Sequence, residues 1–189
     1  MIASTKPGAI FPETPDEDIP SDLIHDIIDG KPYRYRFDTD ILQRLIINTY
    51  VLRTLFEGLR NKRSLFLACG PGLYINDRNV LTSDIAIFKR RDLVIDEHYV
   101  QVPPKITLDF DVKAELGAMT EDEYIFLKAN KLVNFGVGQA IWILTRSKKV
   151  IVVNNHCWKS FEWDSEINVL PGVNLNIGQH LRDEGIAMN

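Results

Sequence analysis

The spacing of apolar positions changes several times along this chain, and each change marks an element. From about residue 40 to 60, Ile41, Leu45, Val51 or Leu52, Leu55 and Leu59 recur every three or four residues. That is the stripe of an amphipathic helix, opened by Asp38 or Thr39. A second stripe, Tyr124, Lys128, Leu132 and Phe135, runs through residues 121–135. Thr120 stands at its N-cap position and Gly136 ends it. Glu121, Asp122 and Glu123 fill its first turn, where the helix dipole favours acids.

Elsewhere the period falls to two, or the apolar run is continuous. "SLFLAC" (64–69) reads as a strand that Gly70, Pro71 and Gly72 break. "NVLTSDIAIF" (79–88) reads as one strand, buried on both faces except at Asp84. "QAIWILT" (139–145) and "KKVIVVN" (148–154) are strands joined by a turn around Arg146–Ser147, and "SFEW" (160–163) adds an edge strand. Near the start, Ser21 is placed to cap a short helix, "SDLIHDIIDG", which Gly30 closes, and "YRYRF" (33–37) alternates as a short strand. "LPGVNLNI" (170–177) is a short terminal piece leading to a weak helix. Residues 1–20 hold Pro7, Pro12, Pro15 and Pro20 with the acidic run Asp16–Asp18, and read as a loose arm before a single domain at 21–189. This order of elements predicts an α/β sandwich, a mixed central β-sheet flanked by helices.

Pro103 and Pro104 introduce the most informative strand, "ITLDFDVKAEL" (106–116). In extended form it sets Ile106, Leu108, Phe110 and Val112 on one face and Thr107, Asp109, Asp111 and Lys113 on the other. A solvated edge strand alternates in this way, but two further residues point elsewhere. Asp84 lies among apolar neighbours, where a carboxylate is costly unless paired or bound to metal. Lys128 lies inside an apolar helix stripe, where it either snorkels or has its ammonium held inside.

Composition narrows the classes. The 189 residues are 45% hydrophobic and 25% charged, ordinary for one globular domain, and the net charge of −4 gives no overall basic footprint of the kind nucleic-acid binders often carry. Cys69 and Cys157 match no zinc spacing and read as reduced thiols, and His25, His98, His156 and His180 form no ligand pair. The first 20 residues lack the apolar core of a signal peptide, and no apolar run is long enough to span a bilayer. The expectation is a cytoplasmic protein with no membrane partner.

"SDIAIF", "PPKITLDFDVKAEL", "YIFLKANKLVNFGVGQAIWIL" and "VLPGVNLNI" together resemble the bacterial family of candidate restriction endonuclease domains, within the PD-(D/E)XK nuclease superfamily. The resemblance covers roughly residues 24–180. It rests more on the ordered set, with Gly136–Val137 and Trp142 after the helix, than on a single Asp-x-Lys triplet. It implies a restriction-endonuclease-like three-layer sandwich. Asp84 is similar to the aspartate of the family's Pro-Asp pair, with Ser83 in place of the proline. Asp109 falls where the family usually has a glutamate, and Asp111 and Lys113 supply a literal Asp-x-Lys. Lys128 lies where many relatives carry their lysine, on the following helix, and Asp26 resembles an early acidic position. The histidine that the family often has near the start of its long helix is missing here.

The resemblance implies a Mg2+- (or Mn2+-) dependent endonuclease acting on DNA, working as a homodimer because two cuts sever a duplex. Asp84 with Asp109 or Asp111 would hold the ion; Asp109 and Asp111 lie about 7 Å apart along the strand, and Asp84, Asp111 and Lys113 form the minimal set, with Asp109 and Lys128 close behind. Lys113 or Lys128 would orient the attacking water and offset charge on the phosphate. "GLRNKR" (58–63), "KRR" (89–91) and "RSKK" (146–149) are the candidate DNA contacts. Two other readings stay open. One is a nuclease fold that binds DNA or protein without cutting. The other is a dimeric scaffold, with apolar strands such as "KKVIVVN" at its interface and the carboxylates only a structural ion-pair cluster.

Overall fold

Residues 24–36, 41–59, 63–94 and 99–186 are described in a computed structural model; the arm expected at 1–20 lies outside them. The first described element corrects an expectation. Of "SDLIHDIIDG", whose residues 21–23 lie outside the described ones, residues 24–30 make no helix: β1 (Ile24–Ile28) pairs antiparallel with β2 (Lys31–Arg34), and only Asp29 and Gly30 lie between them. Both take positive φ, 54° and 80°. Those are the left-handed conformations of a type I′ hairpin turn, which Asp-Gly favours and whose twist matches the flanking strands.

The helix α1 (Ile41–Gly58) follows, then β3 (Ser64–Ala68), β4 (Gly72–Asn76), β5 (Asn79–Thr82) and β6 (Ile85–Lys89). "NVLTSDIAIF" is therefore two strands. β5 belongs to a four-stranded sheet ordered β2-β1-β5-β4, and the chain crosses at Ser83–Asp84 so that β6 enters a larger sheet. The small sheet and its strand β4 were not anticipated. β7 (Ile106–Phe110), α2 (Glu121–Phe135) and β8 (Gln139–Leu144) form a parallel crossover. β9 (Lys149–Asn154) and β10 (Cys157–Glu162) complete a mixed sheet ordered β10-β9-β8-β7-β6-β3. A hairpin, β11 (Ile167–Leu170) and β12 (Val173–Leu175), leads to α3 (Ile177–Asp183).

The six-stranded sheet is the middle of three layers. Ile47, Val51 and Leu55 of α1, the β11–β12 hairpin and α3 pack on one face against Ile85, Leu108, Phe110 and Ile141. α2 and the four-stranded sheet pack on the other against Ala86, Phe88, Ala140 and Trp142. The expected stripe of α1 holds at Val51 and Leu55, which face the sheet with Ile47, but not at Leu45, which is 49% exposed and lines a cleft beside α3. β9 lies between β8 and β10 with Val150–Val153 buried, so "KKVIVVN" is interior and not a surface between copies. Among the described residues no helix is long and apolar enough to cross a membrane. Cys69 and Cys157 are both free thiols.

α2 forms where its stripe and caps predict. Glu123 N–H donates to Thr120 Oγ1 at 3.2 Å, and Thr120 N–H donates to Glu123 Oε2 at 2.8 Å, a reciprocal capping box. Gly136 ends the helix at φ 110°, a backbone that side chains other than glycine rarely adopt. The caps fix where α2 starts and stops, and so which face meets the sheet. That face buries Tyr124, Ile125, Lys128, Ala129 and Leu132.

Candidate active site

The site assembles where the two sheets meet. β6 pairs with β7 in the register Ile85↔Leu108, Ala86↔Thr107, Ile87↔Ile106. One further step sets Asp84 across from Asp109, both on the α2 side of the sheet. The Phe110 N–H donates to Asp84 Oδ2 at 2.7 Å, and the Lys113 ammonium donates to Asp84 Oδ1. From α2, Lys128 Nζ reaches Asp109 Oδ1 at 3.3 Å and Asp26 Oδ2 at 3.2 Å. Asp26 arrives on β1 and accepts from Thr82 N–H at 2.7 Å, from the Thr82 hydroxyl at 3.2 Å and from the Tyr124 hydroxyl. His25 Nε2 lies 3.5 Å from Asp26 Oδ2.

These groups form a floor and a mouth. Asp26, Asp109 and Lys128 are 1%, 4% and 1% exposed, whereas the side chains of Asp84 and Lys113 retain 22% and 13%. Lys128 is thus held inside, not snorkelled to the surface. One ammonium cannot neutralise two carboxylates fully, and the floor divides accordingly. Burial alone would raise the pKa of Asp26, but Lys128, His25, Tyr124 and Thr82 outweigh it and hold the carboxyl below its ordinary value. Burial, with Asp84 and Asp26 nearby, raises Asp109 to about 6 against the pull of Lys128. Burial would lower the Lys128 pKa, yet Asp109 and Asp26 raise it, so its charge is secure. Burial lowers His25 to about 4, which keeps the ring neutral near pH 7.

The single charged face expected over residues 107–113 does not exist. β7 ends at Phe110, and Asp111 adopts φ 60°. The alternation breaks there, so Val112 and Ala114 pack on the α2 side instead of beside Ile106, Leu108 and Phe110. Asp111 turns toward β8: its carboxylate accepts from Thr145 N–H at 2.6 Å and from the Thr145 hydroxyl at 2.9 and 2.8 Å. Asp84 lies on the opposite, β6 side of β7. Of the five residues singled out in sequence, Asp84, Asp109, Lys113 and Lys128 come together and Asp111 stands apart. Tyr124, Thr82 and His25 join the site unforeseen. Reading Asp29–Gly30 as a hairpin turn would have put Asp26 and His25 on a strand.

Asp84 and Asp109 are neighbours, and Asp109 Oδ2 is buried with no hydrogen-bond partner. An unsatisfied buried oxygen of this kind costs about 1–3 kcal/mol, which a cation would relieve. Among the described residues, no group of three or more His, Cys, Asp or Glu side chains is arranged to hold a metal. The donors on hand are the two carboxylates, the number a magnesium ion commonly takes from protein, and such an ion would complete its shell with water and phosphate oxygens.

The basic segments separate by sheet end. Residues 145–148 form the turn after β8, beside the end of β7 that carries Asp109, with Arg146 exposed. "KRR" follows the far end of β6, where Lys89 and Arg91 approach Asp92 at 4.0 and 3.3 Å. Half of "GLRNKR" (residues 60–62) lies outside the described residues.

No family model matches the sequence, and no curated protein matches it. Its fold is similar to the crystal structure of a candidate nuclease belonging to DUF820 from Anabaena variabilis, with a TM-score of 0.66 at 15% identity. The match covers 88% of this chain and 96% of that one. At this identity the likeness is one of fold. It shows that the mixed α/β sandwich is an architecture shared with that protein.

Proposed function

We propose that this protein is a metal-dependent endonuclease of the PD-(D/E)XK type that hydrolyses DNA phosphodiester bonds and acts as a homodimer. The observation that carries the reading is the convergence of Asp84 and Asp109 beside two lysines, with one buried carboxylate oxygen left without a donor. A bound Mg2+ or Mn2+ ion would supply Lewis acidity toward the phosphate and make water more acidic. Asp84 and Asp109 are the residues that would hold it. Lys128, clamped between Asp26 and Asp109, fixes the Asp109 carboxylate in place. Lys113, at the mouth, is the cation positioned to orient the attacking water and offset charge building on the phosphoryl oxygens. Asp111 has no part, because Thr145 engages its carboxylate on the other side of β7. The fold likeness to a candidate nuclease supports the reading.

The test is nicking of supercoiled plasmid by the purified protein with magnesium or manganese. Wild type should nick, while Asp84→Ala, Asp109→Ala and chelation should each abolish the activity. Sedimentation should return a dimer. A wild type that binds DNA without turnover in either ion would instead favour a nuclease fold used for binding. That second reading draws on one observation: Lys113 and the Phe110 N–H already engage both oxygens of Asp84.

A further inference from the structure

Two lysines serve the site, and they are held differently. Lys128 is 1% exposed and contacts Asp26 and Asp109 at 3.2 and 3.3 Å, with no route to solvent. Lys113 contacts Asp84 alone among the site carboxylates, and its side chain is 13% exposed. Its backbone is pinned: the Lys113 carbonyl accepts from Arg36 N–H at 2.5 Å, and the next residue, Ala114, bridges to Tyr35. Only the side chain, with its flexible four-carbon stem, can move. The other donor to Asp84, the Phe110 N–H, belongs to β7 and cannot leave without opening the strand.

Resting on the metal-dependent reading above, we propose that the Lys113 ammonium is a built-in stand-in for the divalent cation, holding Asp84 until the ion displaces it. Lys113 caps the Asp84 oxygen that the ion needs, while the neighbouring Asp109 Oδ2 has no donor at all. Exchange replaces a monovalent contact on one carboxylate by a divalent one shared between two. The displaced ammonium keeps its proton and swings free of Asp84 within the mouth, where the phosphate arrives. Arrival of the metal and release of the lysine toward substrate are then one event. While Lys113 sits on Asp84 the site does not accept metal, so the apparent affinity is reduced by the fraction of molecules in which the lysine is away.

Titration calorimetry with Mn2+ on the full chain, without DNA, tests this. Lys113→Met should bind Mn2+ about tenfold more tightly or better, the gain expected if the lysine is away in a tenth of molecules or fewer. Lys113→Arg should bind no more tightly than wild type, and Asp84→Asn should lose the binding. A Lys113→Met affinity equal to or weaker than wild type overturns the exchange. A readout that needs no variant is acetylation of Lys113 by an amine-reactive ester, followed by peptide mass spectrometry. Mn2+ should raise its rate several-fold, and an unchanged or slower rate counts against the idea. The two failures are separable. If Asp84→Asn binds Mn2+ as wild type does, the metal reading itself is wrong and the exchange goes with it. If binding requires Asp84 but neither the affinity gain nor the labelling change is seen, only the exchange is wrong.

Discussion

Asp84 and Asp109 stand opposite one another, one register step beyond the Ile85–Leu108 pair that ends the β6–β7 ladder. Like charges in that relation repel. The arrangement persists because Lys113 and Lys128 approach from two sides, one from the loop after β7 and one from α2.

Lys128→Met should be the most damaging single change at the floor. It leaves Asp26 and Asp109 buried without their cation, which typically costs about 3–5 kcal/mol. Adding Asp26→Asn should recover part of that loss, since one buried charge is removed as well. Urea unfolding of the single and double variants measures both numbers.

Asp109, with a pKa raised to about 6, gives the site a pH dependence. The folded protein keeps this proton to higher pH than the unfolded chain does. Its contribution to stability is therefore full below the ordinary 3.8 and is lost as pH rises through about 6. In the proposed reaction the metal must displace this proton, so the rate at subsaturating metal should fall as pH drops below about 6. A single-turnover pH profile at fixed Mn2+ checks this, and carboxyl carbon NMR should show one aspartate titrating near that pH.

His25 should run the other way. Its folded pKa, about 4, lies below the ordinary 6.5, so the stability it contributes is present above 6.5 and lost as pH falls through about 4. Ring nitrogen shifts should show His25 neutral down to about that pH. In His25→Asn the opposing Asp109 effect is unmasked, and the melting temperature should drop more between pH 4 and 6 than it does in wild type.

Asp111→Asn separates the two candidate aspartates of the 106–116 segment. Asparagine tolerates the left-handed backbone at this position, so the variant should fold and retain nicking, whereas Asp109→Asn should not nick. Thr145→Val, which removes the hydroxyl that Asp111 accepts from, should cost about 1 kcal/mol in urea unfolding with activity kept.

DNA contact should follow the sheet end. Arg146→Ala should weaken binding and lower the slope of log affinity against log salt by about 0.9, one phosphate contact. Arg90→Ala with Arg91→Ala, at the far end of β6, should change neither. Fluorescence anisotropy over a salt series measures the slopes.

Much of this is legible in the sequence. The β7–α2–β8 unit reads directly, because its signals are local: a period of two, a Thr-x-x-Glu cap, a helical stripe and a terminating glycine. The chain's opening was misread because Asp-Gly governs a hairpin turn more strongly than "LIHDII" favours a helix. β5 and β6 were fused because nothing in a continuous apolar run says which sheet each half will join.

The sequence by itself determined the mixed α/β layering and the chemical inventory of Asp84, Asp109, Asp111, Lys113 and Lys128, since periodicity picks out charged residues set on otherwise apolar elements. Tertiary structure alone decided which inventory members meet. Asp26 and Tyr124, 98 residues apart, share a proton contact only because the small sheet docks beside α2. Asp111 meets Thr145 instead of Asp84 only because one backbone turn at φ 60° aims it there. Periodicity carries no record of such meetings, because they are set by how whole layers pack and by single dihedrals where strands end.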